Sequence, residues 1–210
     1  MNAQPVKLTT SDGLVLEAEW AEPPDARAAV VLCHPHPQYG GTMRSLVISA
    51  LFDALPKAGI ACLRFNFRGV EGSDGAYGEG SDEPLDVQAA VDAAARAATG
   101  DGPLVLVGWS FGADMALTVD DARLAGWVAI APPLRFRPAA AFAIIGRDPR
   151  PKLLELAAND EFREPAEVEA DVAGWVNTRV ETIAGASHFF VGRTDRVVDL
   201  TADFVLAVAY

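Results

Sequence analysis

The apolar run Leu104-Val105-Leu106-Val107 leads straight into Gly108-Trp109-Ser110-Phe111-Gly112, and that turn leads into Ala113-Asp114-Met115-Ala116-Leu117. A β-rich stretch, a turn with glycine at both ends and a stretch of good helix formers describe a buried strand that passes through a tight turn into a helix. In a G-x-S-x-G turn of this setting the serine is held in a strained conformation. Its oxygen stands above the edge of the sheet, and the next backbone N–H is left free to bind an oxyanion. Ser110 is therefore the candidate nucleophile. Three fixed positions out of five say little alone; the strand before and the helix after give the pattern its meaning.

The rest of the chain repeats that rhythm. Short apolar runs predict strands over 6–10, 14–20, 28–33, 61–67, 104–108, 127–131, 152–157 and 179–183. Helical patterns fall over 44–58, 83–98, 111–120, 165–175 and 193–208. Thr10-Ser11-Asp12-Gly13 has turn chemistry, so the first two strands are expected to form an antiparallel hairpin; later strands are far enough apart for crossovers. The fold class is α/β: a mostly parallel eight-stranded sheet with helices on both faces. Neither a repeat nor a Pro/Gly-rich linker divides the chain, and one domain over 1–210 is expected. The stretch 132–150 is too short for a separate lid domain, which predicts an open site.

A formal net charge of −12 argues against a nucleic-acid partner, whose phosphates draw affinity from Lys and Arg. Cys33 and Cys62 lie in strand-like apolar runs without metal-ligand spacing, so they read as small buried hydrophobes in a reducing cytoplasm. No segment has the length and apolarity of a signal peptide or of a membrane span, and no membrane partner is expected. Gly69-Val70-Glu71-Gly72-Ser73-Asp74-Gly75 follows a strand but lacks a Lys-Ser/Thr and a helix start, so it reads as a turn-rich loop and not as a phosphate cradle. No cofactor is expected. His34 and His36 have no third ligand near them in sequence, so no metal is expected either.

A serine hydroxyl needs an imidazole to take its proton and a carboxylate to hold that imidazole in the right tautomer. His188 is the one histidine that follows Ser110, and it sits just past the last predicted strand. Asp160, at the end of Leu153-Leu154-Glu155-Leu156-Ala157-Ala158-Asn159, is the chosen acid; Glu161 is its rival and Asp148 a weaker one. For the oxyanion, Phe111 supplies one N–H. The loop Cys33-His34-Pro35-His36-Pro37 supplies the other, from His36, because the prolines have no N–H to give. His34 is expected to fix that loop by hydrogen bonding. Trp109 and Tyr39 either pack or touch substrate.

Taken together, His34-Pro35-His36-Pro37 with Gly40-Gly41-Thr42-Met43, Arg64-Phe65-Asn66-Phe67-Arg68-Gly69-Val70, Gly108-Trp109-Ser110-Phe111-Gly112 and Gly185-Ala186-Ser187-His188-Phe189-Phe190 resemble the α/β-hydrolase superfamily. Within it they are most similar to small, lidless bacterial serine hydrolases related to dienelactone hydrolases. The resemblance spans nearly the whole chain. It implies a triad of Ser110, Asp160 and His188, with the His-Pro segment where relatives carry a His-Gly oxyanion motif. Dienelactone hydrolases proper use a cysteine nucleophile, so their substrate is not implied. Ala157-Ala158-Asn159-Asp160 also replaces the more usual glycine-containing turn before the acid. The expected activity is cofactor-independent hydrolysis of a small-molecule acyl substrate, first of all a carboxylic ester. A thioester or amide would use the same machinery, and a non-catalytic binding protein on a hydrolase scaffold is the rival of a different class.

Overall fold

A computed structural model describes residues 3–98, 100 and 102–209; residues 1, 2, 99, 101 and 210 of the span expected as one domain lie outside the described residues. Eight strands form one sheet: β1 (Gln4–Thr9), β2 (Val15–Ala21), β3 (Ala28–Cys33), β4 (Ile60–Phe65), β5 (Leu104–Trp109), β6 (Leu124–Ile130), β7 (Lys152–Ala157) and β8 (Thr178–Ile183). Their order across the sheet is β1-β2-β4-β3-β5-β6-β7-β8. β2 runs antiparallel to both β1 and β4, and all other neighbours are parallel. The β1–β2 link closes through Gly13 N–H on Thr10 O at 3.0 Å and Thr10 N–H on Leu14 O at 2.9 Å.

Burial follows position in the sheet. β3, β5 and β7 are buried at every residue, as parallel strands covered on both faces must be. β2 alternates buried and more open positions, and β8, a sheet edge, carries Arg179 and Glu181 on a largely open strand. Two apolar layers result. Leu104 and Leu106 point to one face and belong to one apolar cluster with Val87 and Val91 of α2 (Glu83–Ala97), Met115 of α3 (Phe111–Ala116), Phe142 of α4 (Ala139–Arg147) and Val168 of α5 (Pro165–Val172). Val105, Val107 and Trp109 point to the other, under Ile48 and Leu51 of α1 (Leu46–Ala54) and Val197 and Phe204 of α6 (Thr194–Val208). This two-residue alternation in β5 puts Ser110, the next residue, at the top of the sheet between the layers.

All eight expected strands and both helical layers are present, with shifted ends. The helix expected over 44–58 becomes α1 followed by a 3-10 turn, Leu55–Ala58, where Pro56 has no N–H to continue the α-helical ladder. The helix expected over 111–120 stops at Ala116: the Thr118 hydroxyl bonds Met115 O at 2.8 Å and the Trp127 indole bonds Val119 O at 3.3 Å, which turns the chain away. α4 lies within 132–150, where no helix was expected, since Pro138 and three alanines start it with no polar cap to announce it. Among the described residues no helix is long and apolar enough to cross a membrane.

Candidate active site

The turn after β5 is built by close backbone approach. A Cβ on Gly108 would meet Gly112 O at 2.2 Å, and one on Gly112 would meet Cys33 O at 2.2 Å, so the helix start rests directly on the end of β3. Ser110 itself takes φ 55° and ψ −120°, a strained backbone for a residue with a side chain. The strain is held from both sides. Ser110 N–H donates to Ile130 O at 2.8 Å, and Ser110 O accepts from Ala113 and Asp114 N–H at 2.9 and 3.2 Å.

The loop after β3 bends over this turn. His34 is fully buried; its Nε2 accepts Phe67 N–H at 3.0 Å, which leaves the ring proton on Nδ1 to be donated to Pro35 O at 2.6 Å. Burial pulls its pKa down to about 4, with the Pro35 carbonyl acting the other way, so the ring stays a neutral strut. Gly41 is pressed so closely against Pro35 O that a Cβ there would lie 2.1 Å away, and its N–H joins that of Tyr39 on His36 O, both at 3.1 Å. With its carbonyl tied inside the loop, His36 keeps its N–H without an acceptor among the described residues. Phe111, the first residue of α3, has no intrahelical acceptor for its own N–H. The two side chains touch, with ring centroids 5.2 Å apart.

The loop after β4 explains why Asn66, Phe67 and Arg68 belong together. Buried Asn66 accepts Met43 N–H at 2.8 Å and donates to Glu17 and Glu71 carboxylates at 2.8 Å each, tying the loop after β3 to the β1–β2 hairpin. Phe67 N–H holds His34, and Arg68 forms a buried pair with Asp86 at 2.7 Å. Ser73 and Gly72 bond within the same region, to Asn66 O and the Glu17 carboxylate, so 69–75 is a packed structural loop.

The loops after β7 and β8 bring the remaining groups in. His188 Nε2 lies 2.9 Å from Ser110 Oγ, and Nδ1 lies 2.8 Å from Asp160 Oδ2. A carboxylate only accepts, so Nδ1 carries the proton and Nε2 is left to accept from the serine. Burial works against charge on Asp160, but the His188 hydrogen bond and the N–H groups of Phe162 and Arg163 outweigh it and hold the carboxyl below the usual carboxylate range. Glu161 faces elsewhere: it accepts the backbone N–H of His188 at 3.1 Å. Asp148 pairs with Arg150 at 2.6 Å. Ser110 and His188 keep only 8% and 6% of their surface exposed.

Trp109, expected either to pack or to touch substrate, packs: it is buried and its indole donates to His188 O at 3.1 Å. Tyr39 stands 85% exposed at the rim, with its ring 4.6 Å from that of His36. Two other residues, Tyr77 and Asp114, were not found by sequence reasoning. Tyr77 meets His36 Nε2 through its hydroxyl at 3.0 Å; Gln38 N–H occupies Nδ1, so the imidazole donates and Tyr77 accepts. Asp114, buried in α3, accepts Leu134, Arg135 and Phe136 N–H at 2.8 to 3.0 Å and so presses Phe136 against His36 and Phe111. An acid inside an apolar helix was the available signal for Asp114; Tyr77 lies in a loop without periodicity. Among the described residues no cluster of three or more His, Cys, Asp or Glu is placed to hold a metal ion.

Residues 30–206 match the model of the alpha/beta hydrolase family. The chain belongs to this family. A protein of Rickettsia prowazekii (strain Madrid E), described only as uncharacterized, is 29% identical over 196 residues, which cover 90% of this chain and 82% of that one. Among solved structures, an alpha-beta serine hydrolase homologue from Coxiella burnetii superposes with a TM-score of 0.83 at 31% identity, covering 98% of each chain. An alpha/beta serine hydrolase without a lid, from Xanthomonas campestris, gives a TM-score of 0.82 at 25% identity over 99% of this chain and 94% of that one. Family and fold together support a hydrolase.

Proposed function

We propose that the protein is a serine hydrolase of small acyl compounds, a carboxylesterase first of all, working through an acyl-enzyme. The observation that carries this reading is the unbroken chain from Ser110 Oγ to His188 Nε2 at 2.9 Å and from His188 Nδ1 to Asp160 at 2.8 Å. His188 takes the serine proton as Ser110 attacks the carbonyl, then gives it to the departing group; Asp160 holds the ring in the required tautomer and stabilises the imidazolium. The negative oxygen of the tetrahedral intermediate is received by Phe111 N–H and His36 N–H, each worth about 3 to 4 kcal/mol in such a site. Water, activated by the same imidazole, then releases the acid. No step in this scheme calls for a cofactor.

Buried, unpaired Cys33 and Cys62 support a reducing compartment such as the cytoplasm, because burial raises the pKa of both thiols and keeps them inert. The test is covalent labelling. A fluorophosphonate should add one group per chain, found by mass spectrometry on the peptide holding Ser110, and Ser110→Ala should lose both label and ester turnover. Full activity in Ser110→Ala would overturn the reading.

A further inference from the structure

We infer that Phe162 and Phe189 form an aromatic wall that receives the leaving group, so that the substrate is an ester of a flat, apolar alcohol such as an arylmethyl alcohol. The inference rests on the serine-hydrolase reading above and adds the substrate's alcohol to it. Both rings flank the one imidazole: Phe162 lies 4.7 Å from the His188 ring centroid and Phe189 5.7 Å, and the two stand edge to face 6.0 Å from each other. His188 itself is buried, whereas Phe162 and Phe189 are 50% and 46% exposed. A single exposed phenylalanine carries little meaning; two that meet around a buried imidazole form an apolar patch with a place in the chemistry.

That place follows from proton transfer. When the tetrahedral intermediate collapses, the bond from the carbonyl carbon to the ester oxygen breaks, and that oxygen takes the proton from His188 Nε2. It must therefore come within about 3 Å of Nε2, which puts the first carbons of the alcohol against the rings beside the imidazole. The acyl oxygen is held elsewhere, at Phe111 and His36, where Tyr39, Tyr77 and Phe136 form a separate aromatic set. The wall is also stiff. Phe162 N–H donates to Asp160 at 2.9 Å, Glu161 and Trp109 hold the main chain of His188, and the Trp109 ring backs Phe189 at 6.5 Å. A ring packing edge to face here gains beyond its apolar area, which an aliphatic chain cannot match.

The test compares benzyl, cyclohexylmethyl and ethyl acetates, which share one acyl group and have alcohols of similar basicity. Benzyl acetate should have the highest kcat/KM. Phe162→Ala and Phe189→Ala should each lower the benzyl-to-ethyl ratio of kcat/KM by about threefold to tenfold, the size of an aromatic pair. Phe162→Leu should narrow the gap between benzyl and cyclohexylmethyl acetates without closing it, because Phe189 remains. A ratio that stays constant in both alanine variants overturns the inference, and so does a change confined to the preference among ethyl esters of different acids. If no ester is cleaved, protection of Ser110 from fluorophosphonate still reads the wall: benzyl alcohol should protect better than ethanol, and less so in Phe162→Ala. Equal protection with Ser110 labelled sinks the wall alone; no label on Ser110 sinks the hydrolase reading and the wall with it.

Discussion

Asp160 and His188 meet at 2.8 Å through Nδ1, while the next residue in the chain, Glu161, accepts the backbone N–H of the same histidine at 3.1 Å. Two adjacent carboxylates thus serve one residue in different ways, the first fixing the ring and the second the main chain. Asp160→Asn puts an amide where a proton acceptor is needed and favours the wrong tautomer; by analogy with the triad aspartate of a serine protease, kcat should fall by about 10⁴. Glu161→Gln keeps an oxygen for the His188 N–H and should cost less than tenfold, about 1.4 kcal/mol at most. Steady-state rates on one ester decide it, and exchanged behaviour of the two variants would make Glu161 the acid.

Asp114 carries a second prediction. Burial pushes its carboxyl up to about 6, against the pull of the three N–H groups from 134, 135 and 136. Asp114→Asn replaces one accepting oxygen by a donor, and Oδ2 accepts two of those bonds, so at least one N–H turned toward the buried side chain is left facing an NH₂. Denaturant unfolding should show a loss of about 2 kcal/mol or more. A stability within experimental error of the parent would mean that the 134–136 turn holds Phe136 without Asp114.

Glu155 predicts a pH dependence of stability. It sits fully buried in β7, with Oε1 accepting the Thr201 hydroxyl at 2.8 Å and Oε2 without a partner among the described residues, and burial pushes its pKa up to about 8 from an ordinary 4.5. The folded chain therefore holds a proton that the unfolded chain has released. This contribution to stability is fully present below pH 4.5 and is lost as pH rises toward 8, at up to about 1.4 kcal/mol per pH unit. Glu155→Gln stays neutral throughout. Its melting temperature should be nearest the parent's at pH 5 and above it at pH 8.5, and a gap independent of pH would show that Glu155 does not titrate in this window.

The strands themselves and the Ser110 turn were legible because each rests on local pattern: fully apolar runs for β3, β5 and β7, and two glycines whose missing side chains let α3 start against β3. The candidate residues on the loops after β5, β7 and β8 were legible because chain order and strand ends bring them to one edge of a parallel sheet. What was not legible depends on contacts between distant loops. Tyr77 reaches His36 across 41 positions, and Phe162 lies against His188 although nothing in Asp160-Glu161-Phe162 marks a ring that will face the site. α4 was missed for a different reason. Its alanines favour a helix, but the apolar residues that pin it, Phe142 and Ile145, show their purpose only once the layer beneath them exists.

That use of α4 bears on the acyl group. A long acyl chain gains about 25 cal/mol for each Å² it removes from water, but only where protein walls enclose it. The segment best placed by sequence to roof the site is the one between β6 and β7, and its helix turns Phe142 and Ile145 into the core; a Cβ on Gly146 would already collide with Trp175 at 2.7 Å. Ile144 is left pointing outward, 54% exposed, and Phe136 is taken up by His36 and Phe111. The apolar surface of this segment is thus committed to the fold and not to a chain-length tunnel. With a common alcohol and acyl groups from two to twelve carbons, kcat/KM should stop rising at a short chain, because each further methylene stays in water on both enzyme and free substrate and contributes nothing to the difference. A steady climb of about fourfold per methylene, the worth of a buried CH₂ of about 0.8 kcal/mol, would reveal an enclosed acyl site and overturn this account of α4.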